Sequence, residues 1–236
     1  MDINRSITFI FNDPDWIKKL AIAGLISLIP VVGIFVLLGW SLEITRRVIM
    51  GDNEVLPDFG DFGGMMGNGF KVFVVQFLYS LPIILLFGCM YALMFAGTLA
   101  MGGDFESMDG VMGGGMMVVV VCVVCLTIPL AIMVGLGNQA ARGILAETGE
   151  ISQALKFGKV MEIVKKGVGK YLLAYLVIIL AATILSPIGG LLCGIGALFT
   201  SAFIVAFDAH LVGQIYKFAN PNATAPATTP GTVEIL

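Results

Sequence analysis

The longest uncharged stretch of this chain places the strongest constraint on its fold. From Tyr171 to Phe207 the sequence runs for 37 residues without an Asp, Glu, Lys or Arg side chain, broken only by the turn-like segment Ser186–Gly190. A single helix of that length would extend for about 55 Å, nearly twice the ~30 Å hydrocarbon core of a bilayer. The run is therefore expected to fold back at Pro187 and to form a helical hairpin within a membrane.

Three further uncharged stretches and the overall composition extend this prediction to the whole chain. The stretches cover residues 20–42, 72–103 and 110–141. Only 12% of the residues are charged and 58% are hydrophobic, so the chain lacks the polar side chains that cover a soluble domain. We predict an all-α fold, a polytopic integral membrane helical bundle that forms a single transmembrane domain over residues 1–217. Its membrane segments are expected at about residues 16–48, 71–101, 111–138, 168–186 and 190–216.

The distribution of the 13 Lys and Arg residues predicts the orientation of the chain. Cations are concentrated in 46–71 and 142–170, and Lys217 follows the last apolar run, whereas 101–110 carries only acidic charges. Positively charged loops tend to stay in the cytoplasm. We therefore expect a multi-pass protein of the plasma (cell inner) membrane whose C terminus and most loops are cytoplasmic. Residues 101–110 and 187–190 are expected on the opposite side.

The first apolar run, residues 20–42, allows two topologies. As a single span it gives five membrane helices and leaves Lys18 and Lys19 on the outer side. As a hairpin broken at Pro30–Gly33 it gives three hairpins and six membrane segments, and every cation is cytoplasmic. The hairpin is favoured, because Pro30-Val-Val-Gly33 also resembles Pro187-Ile-Gly-Gly190. The predicted helix-break positions are Pro30, Gly33, Pro187, Gly189 and Gly190.

Residues 150–166 have the pattern of an amphipathic helix on the cytoplasmic surface. Its apolar side contains Ala154, Phe157, Val160, Met161 and Val164. Its polar side contains Lys156, Lys159, Glu162 and Lys166. These lysines are expected to face solvent or the headgroups of anionic lipids. The Ala/Thr/Pro-rich segment 218–236 is expected to be a disordered tail.

The other basic residues beside the apolar runs are interpreted as topogenic or lipid-facing charges. They are Lys18, Lys19, Arg46 and Arg47. Glu43 precedes Arg46 and Arg47 by three and four residues, which is the spacing of ion pairs on a helix. A small-residue face for packing against another helix or another copy is predicted at Gly190, Gly194 and Gly196.

Asp208 and His210 are the polar residues of greatest interest, and with Gln214 they form a candidate intramembrane polar site. On a helix Asp208 and His210 point about 200° apart and cannot face one ligand, whereas His210 and Gln214 share a face. One interpretation is a proton or ion relay, and another is His210 as the axial ligand of a pigment or haem. The favoured interpretation is an anchor at the cytoplasmic end, in which Asp208 pairs with Arg142 or Arg47.

The sequence offers no set of side chains typical of catalysis or metal binding. Cys122 and Cys125 have C-x-x-C spacing, but they lie in a Val-rich span without a cation that would lower a thiol pKa. The single His and the shielded thiols leave no nucleophile–base pair. We therefore expect no enzyme activity, no metal and no cofactor.

Several segments of the chain resemble one family of membrane proteins. They are Gly39–Gly51, Leu56–Phe62, Ala154–Gly158, Cys193–Gly196 and Ala209–Tyr216. The resemblance runs roughly from Phe11 to Lys217 and is to an uncharacterised prokaryotic family of polytopic membrane proteins, the domain of unknown function DUF4013. It implies a polytopic membrane protein of a prokaryote and adds no mechanism.

The expected function follows from what the apolar runs contain. The chain has 30 glycines, few polar residues in its apolar runs and no soluble domain. We expect a non-catalytic structural or accessory subunit that packs as a homo-oligomer or against other membrane-protein subunits, surrounded by membrane lipids and without nucleic acid. The alternative is a small transporter or channel that uses helix breaks at Pro30 and Pro187.

Overall fold

The computed structural model describes residues 2–51, 56–100, 115–191 and 195–224. Throughout these ranges the regular secondary structure is α-helical, which confirms the predicted fold class. The eight helices within them are α1 (Ile3–Asn12), α2 (Trp16–Ser27), α3 (Val32–Met50), α4 (Phe62–Ala100), α5 (Gly115–Thr148), α6 (Ile151–Ala154), α7 (Phe157–Leu191) and α8 (Ile195–Ala219).

Four helices in the described ranges are long and apolar enough to cross a membrane. The stretches are Phe62–Leu93 in α4, Val123–Thr148 in α5, Phe157–Pro187 in α7 and Gly196–Ala219 in α8. α2 has only 12 residues, and the second half of α3 carries Glu43, Arg46 and Arg47. The helical membrane bundle is thus confirmed with four such helices, compared with the five to six membrane segments expected.

The chain divides into two compact units. The first contains Met1–Val75 and Leu136–Leu236, and the second contains Gln76–Gly135. Within the second unit, α4 and α5 expose large apolar side chains such as Leu85, Leu93 and Leu126, as expected of helices that face lipid tails. The expected outer loop 101–110 lies outside the described residues.

α4 and α5 are both longer than the membrane segments predicted for them. α4 begins at Phe62, nine residues before the predicted segment, and α5 continues ten residues beyond it to Thr148. With 39 residues α4 is about 58 Å long, well beyond the ~30 Å hydrocarbon core. Hydropathy therefore identified only the apolar part of each helix. The adjoining residues are more polar or richer in glycine, but they are helical as well.

α2 and α3 form a hairpin that turns at Pro30. Val31 has φ 67° and ψ −62°, and the Val32 N–H donates to the Pro30 carbonyl at 2.7 Å. These are the features of a γ-turn, and a β-branched residue in this region is strained by about 1–3 kcal/mol. Residue 33 has to be a glycine, because a Cβ there would lie 2.1 Å from the Ile26 carbonyl oxygen.

At the end of this hairpin opposite its turn, the segment just before α4 bonds to both helices. The Lys19 ammonium donates to the Leu56 carbonyl at 2.7 Å, and the Trp40 indole donates to the Pro57 carbonyl at 3.0 Å. Lys19 in α2 and Trp40 in α3 are therefore at the same level, while the two arms meet again at the turn. Residues 20–42 are therefore not one continuous helix but two antiparallel helices that are separated at Pro30.

α8 is the central helix of the first unit and packs against α1, α2, α3 and α7. Fully buried side chains occupy every side of its second half, namely Ala206, Ala209, His210, Leu211, Val212, Ile215 and Tyr216. A helix that is buried all round needs neighbours all round. α3 runs parallel to α8, because the Thr45 hydroxyl donates to the Ala209 carbonyl at 3.0 Å and Val48 packs on Gly213.

α7 and α8 form a second hairpin, but its first arm extends further than predicted and its second arm begins later, at Ile195. α7 continues through Pro187 to Leu191, so the connection to α8 comprises residues 192–194, outside the described residues. Proline removes a single backbone donor, and a helix packed in a membrane bundle tolerates it. Gly189 is therefore a packing residue and not a turn residue, since a Cβ on it would lie 2.6 Å from the Thr200 hydroxyl.

Of the small-residue face predicted at Gly190, Gly194 and Gly196, the structure describes Gly190 in α7 and Gly196 in α8. A Cβ at Gly190 would meet nothing within 4 Å. Gly196 is buried, and Gly194 lies outside the described residues. Near this end of α7 it is Gly189 that packs closely on α8, and Gly189 points about 100° away from Gly190 on the helix.

The amphipathic helix predicted over 150–166 is divided into two helices. α6 ends at Ala154 and α7 begins at Phe157. Ala154, Val160 and Val164 are buried, but Phe157 is 58% exposed. One straight helix would place Phe157 on the buried side with Ala154, so the change of direction separates them and lets α7 continue as a membrane span.

The first residues of the tail that was predicted to be disordered from residue 218 are structured. α8 continues to Ala219, and the Asn220 N–H donates to the Tyr216 carbonyl at 2.8 Å. Ala223 is buried, and its N–H donates to the Asn220 carbonyl at 3.0 Å. Residues 225–236 lie outside the described residues.

Candidate functional site

Asp208 lies on the side of α8 that faces α5. Its carboxylate accepts a hydrogen bond from the Arg142 guanidinium at 2.6 Å, and both side chains are largely buried. Arg142 is one of the two cations that the sequence suggested for this role, and the other, Arg47, pairs with Glu43 at 3.4 Å. An unpaired carboxylate in an apolar environment is costly, so this ion pair neutralises the acidic side chain of α8.

His210 faces a different side of α8, toward α1. Its Nδ1 lies 2.9 Å from the Ser6 hydroxyl and 3.2 Å from the Gln214 amide nitrogen. Phe9 stacks on the imidazole ring, with the two ring centroids 4.2 Å apart. His210 and Gln214 therefore share one face, and Asp208 is engaged on another, as their spacing requires.

Gln214 holds the beginning of α1 in place. Its amide oxygen accepts from the Asp2 N–H at 2.7 Å, and its amide nitrogen donates at 3.1 Å to both the Asp2 carbonyl and the Ser6 hydroxyl. Asp2 also caps α1 by accepting from the Arg5 N–H at 3.1 Å. The predicted site residues thus divide into two contacts, Asp208 with α5 and His210–Gln214 with α1.

His210 is enclosed by neighbouring side chains of the chain. The residue is 0% exposed and its ring is covered by Phe9. An axial ligand needs a ring nitrogen that faces a cavity wide enough for a flat macrocycle. Among the residues that the structure describes, no group of three or more His, Cys, Asp or Glu side chains is placed to hold a metal ion.

Lys19, which the sequence suggested as a topogenic or lipid-facing charge, is instead buried and paired. It is 6% exposed, and its ammonium lies 2.8 Å from the Asp13 carboxylate and 3.1 Å from Asp58. Asp13 also accepts from the N–H groups of Leu56, at 2.9 Å, and Asp15, at 2.8 Å. This cluster joins the start of α2 to the chain before α4.

In this cluster the hydrogen bonds together shift the pKa values of Asp13 and Lys19 by more than burial does. Burial alone raises the pKa of the Asp13 carboxyl, but the hydrogen bonds from Lys19, Asp15 and Leu56 bring that pKa below its ordinary value. Burial alone lowers the pKa of the Lys19 ammonium, but its hydrogen bonds to Asp13 and Asp58 bring that pKa above its ordinary value. The charged pair thus stabilises the fold between about pH 4 and pH 10.

This cluster predicts a loss of stability in acid. Because the folded-state pKa of Asp13 is lowered, its contribution is full above the ordinary Asp pKa of about 3.9 and is lost as the pH falls through the folded-state value. The detergent-solubilised protein should therefore melt at a higher temperature than an Asp13→Asn variant at neutral pH. The difference should narrow below pH ~4, and a difference that stays constant in acid would contradict the assignment.

The basic residues at the end of α3 form local contacts. Glu43 accepts from Arg46 and from Arg47, each at 3.4 Å. Arg46 is mostly buried and also donates to the Ala146 carbonyl of α5 at 3.3 Å. The i, i+3 and i, i+4 pairs are those that the spacing predicts, while the contact with α5 had no local signal.

The other predicted topogenic charges lie at the surface. They are Lys18, Lys156 and Lys166, which are exposed, and Lys159, which is half-buried. Lys166 pairs with Glu162 at 2.8 Å. Lys18 and Lys19 differ by one position in the sequence, and only the packing of α2 decides which of the two is turned inward.

A hydrogen-bonded group near the end of α5 was not predicted at all. The Tyr216 hydroxyl donates to the Glu147 carboxylate, and the Asn220 amide donates to the same carboxylate at 3.2 Å. The Tyr216 ring packs directly on Gly143, where a Cβ would lie 2.2 Å from the ring. Glu147 and Tyr216 are 69 residues apart, so no local spacing could indicate their contact.

Comparison with known proteins identifies a family for this fold. One family, described as "Protein of unknown function (DUF4013)", matches residues 22–194. No curated protein and no solved structure matches the chain. The matched region is well over half of the chain and extends from the middle of α2 through the end of α7. The chain therefore belongs to the DUF4013 family of proteins of unknown function.

Proposed function

We propose that this protein is a non-catalytic structural or accessory subunit that packs against copies of itself or against other subunits of a larger membrane complex. The observation that most supports this role is that the candidate polar residues bond helices of the same chain to one another. Asp208 is held by Arg142, and His210 is held by Ser6 and Gln214. Side chains so engaged hold helices together.

The outer surface of α7 is suited to association with another helix. Its exposed apolar side chains are Leu172, Leu173, Leu176, Ile179, Leu180 and Ile184. Gly190 lies further along the same helix, and a Cβ there would meet nothing within 4 Å. Small residues at a surface let another helix approach closely in lipid. We place this association in the plasma membrane of a prokaryote, with the C terminus in the cytoplasm.

Native mass spectrometry of the protein extracted from its own membranes into nanodiscs tests this proposal. We expect a particle that contains more than one chain at a constant ratio, either copies of this protein or copies together with other subunits. The partners would then name the process that the complex serves. A particle with a single copy of this chain and no other protein contradicts the proposal.

Two adjacent glycines provide a matched pair of variants for the same measurement. Gly190→Leu adds a side chain at an open position, so it should reduce the associated fraction and leave the melting temperature of the single chain unchanged. Gly189→Leu collides with Thr200 and Ala197 within the chain, so it should lower the melting temperature. If Gly190→Leu leaves the association intact, α7 is not the contact surface.

A small transporter or channel is the alternative function. The strained turn at Val31 beside Pro30 supports it, because broken helices expose backbone groups that bind ions or substrates. The second break that this alternative requires is weaker, since α7 is helical through Pro187. Ion or solute flux into proteoliposomes that contain the purified chain, compared with empty liposomes, would favour the alternative.

A further inference from the structure

The contacts of α7 indicate which part of α8 lies at the depth of the bilayer. The segment Tyr171–Leu191 of α7 carries no charge and is about 31 Å long, which matches the ~30 Å hydrocarbon core. Near one end of this segment, a Cβ at Gly189 would lie 3.0 Å from Cα of Ala197. Just before its other end, a Cβ at Gly167 would lie 3.6 Å from Ile215. The part of α8 between these two contacts therefore lies at bilayer depth.

α1 follows α8 through the same depth on another side. α1 is bonded to α8 at His210, and further along it the ring of Phe11 lies 6.1 Å from the ring of Phe203. The next contact is made at the start of α2, where the ring of Trp16 lies 6.3 Å from the ring of Phe199. The chain from α1 to the start of α2 thus passes along α8 between the two contacts that α8 makes with α7.

The charged cluster around Lys19 lies at this depth as well. Asp13 stands between Phe11 and Trp16 in the sequence, so the two ring contacts place it beside the first half of α8. Asp13 bonds to Lys19, and Lys19 lies 3.1 Å from the carboxylate of Asp58. The Asp58 side chain is 83% exposed. An ionised carboxylate in contact with hydrocarbon is costly, so lipid tails are not a suitable environment for this surface.

The backbone beside this cluster is not helical. Residues 56–61 connect to the start of α4 without forming a helix, and the stacked rings of Phe59 and Trp40 hold them against α3 with their centroids 5.4 Å apart. Asp58 and Gly60 of this segment are exposed. At bilayer depth, irregular backbone occurs only where protein buries it or where it lines a water-filled cavity, because its N–H and C=O groups need partners.

The outer surface of α1 connects this segment to the end of α8 that carries Lys217. α1 begins at that end, where the Asp2 N–H donates to Gln214. Four exposed polar side chains then follow along α1 within an arc of about 100°. They are Asn4, Arg5, Thr8 and Asn12. Polar groups therefore continue along one surface from the end of α8 to the charged cluster.

We propose that α1 and residues 56–61 line a water-filled cleft, which enters the bilayer from the end of α8 that carries Lys217 and extends to Asp58. Water solvates charges of both signs, whereas a protein partner would need a complementary group for each of them. This inference goes beyond the proposed function and does not depend on it, because the proposed association uses α7, on another side of α8.

Labelling of introduced cysteines with a charged, membrane-impermeant maleimide tests the cleft. The full-length protein is labelled in sealed membrane vesicles of each orientation, and mass spectrometry of each peptide separates the introduced site from the four native cysteines. Asp58→Cys is the reporter. Ile184→Cys is the matched control, because Ile184 is 61% exposed on the apolar surface of α7 and lies five residues before Gly189, at a similar depth. Asn222→Cys, just beyond α8, identifies the side that carries Lys217.

We expect Asp58→Cys to be labelled roughly tenfold faster than Ile184→Cys or more, and only from the side that labels Asn222→Cys. Slow labelling of both sites would overturn the proposal, because lipid or another chain would then cover Asp58. Fast labelling of both would overturn it too, because the bilayer would not reach this depth, and so would labelling of Asp58→Cys from the opposite side. If Asp58→Cys fails to fold, Gly60→Cys replaces it, because a Cβ at Gly60 meets nothing within 4 Å.

Discussion

Gly69→Ala is expected to be among the most destabilising single substitutions in this protein. A Cβ on Gly69 would lie 1.6 Å from the Phe35 carbonyl oxygen, so the backbones of α3 and α4 would have to separate. Gly39 makes the reciprocal contact, with a Cβ 1.9 Å from the Met65 carbonyl oxygen. Overpacking costs about 1–3 kcal/mol when side chains can adjust, and we expect ~3 kcal/mol or more here because backbone must move.

Gly67→Ala is the control for this prediction. It lies on the same helix, two residues earlier, and a Cβ there would meet nothing within 4 Å. Alanine also favours the helix by up to about 1 kcal/mol over glycine, so Gly67→Ala should melt at the same or a slightly higher temperature. Thermal unfolding in detergent, followed by circular dichroism, measures both variants. Equal melting temperatures for Gly69→Ala and Gly67→Ala would show that α3 and α4 are not in backbone contact.

Lys19→Met is expected to have the second large effect. It keeps most of the apolar stem but leaves the Asp13 carboxylate buried without its cation. Removing one partner of a buried ion pair typically costs about 3–5 kcal/mol, whereas a change at an exposed site such as Lys18→Met is expected within ~0.5 kcal/mol. Thermal or denaturant unfolding of the two variants measures the contrast.

A double variant distinguishes the loss of the ion pair from a general disturbance of α2. In Asp13→Asn combined with Lys19→Met no charge is left uncompensated in the cluster, so part of the lost stability should return. The two single effects would otherwise simply add. Strict additivity would mean that Lys19 and Asp13 stabilise the protein independently, contrary to the 2.8 Å contact.

The part of the fold that the sequence could predict is the part determined by charge and local spacing. Charge distribution and Pro30 predicted the first hairpin, which the γ-turn at Val31 completes. The 200° separation of Asp208 and His210 placed them against different neighbours, α5 and α1. Both inferences need only the period of a helix and the cost of moving cations across a membrane.

The remainder depends on contacts between distant segments. Nothing in the local sequence distinguishes the buried Lys19 from the exposed Lys18, since Asp58 and Leu56 reach it from the next loop. Pro187 was expected to mark a turn, but α7 remains helical through this residue. The start of α4 before its apolar part was not predicted. Hydropathy indicates whether lipid or water surrounds a helix, but it does not indicate where the helix begins.

The position of α8 late in the sequence determines when the first unit can assemble during synthesis. Ser6 contacts His210 across 204 positions, and Thr45 contacts Ala209 across 164. At about 5–20 residues per second, a ribosome needs roughly ten to forty seconds to make the intervening chain. Throughout that interval α1, α2 and α3 are without the helix that buries their inner faces. The core of this unit therefore closes only after most of the chain has been made.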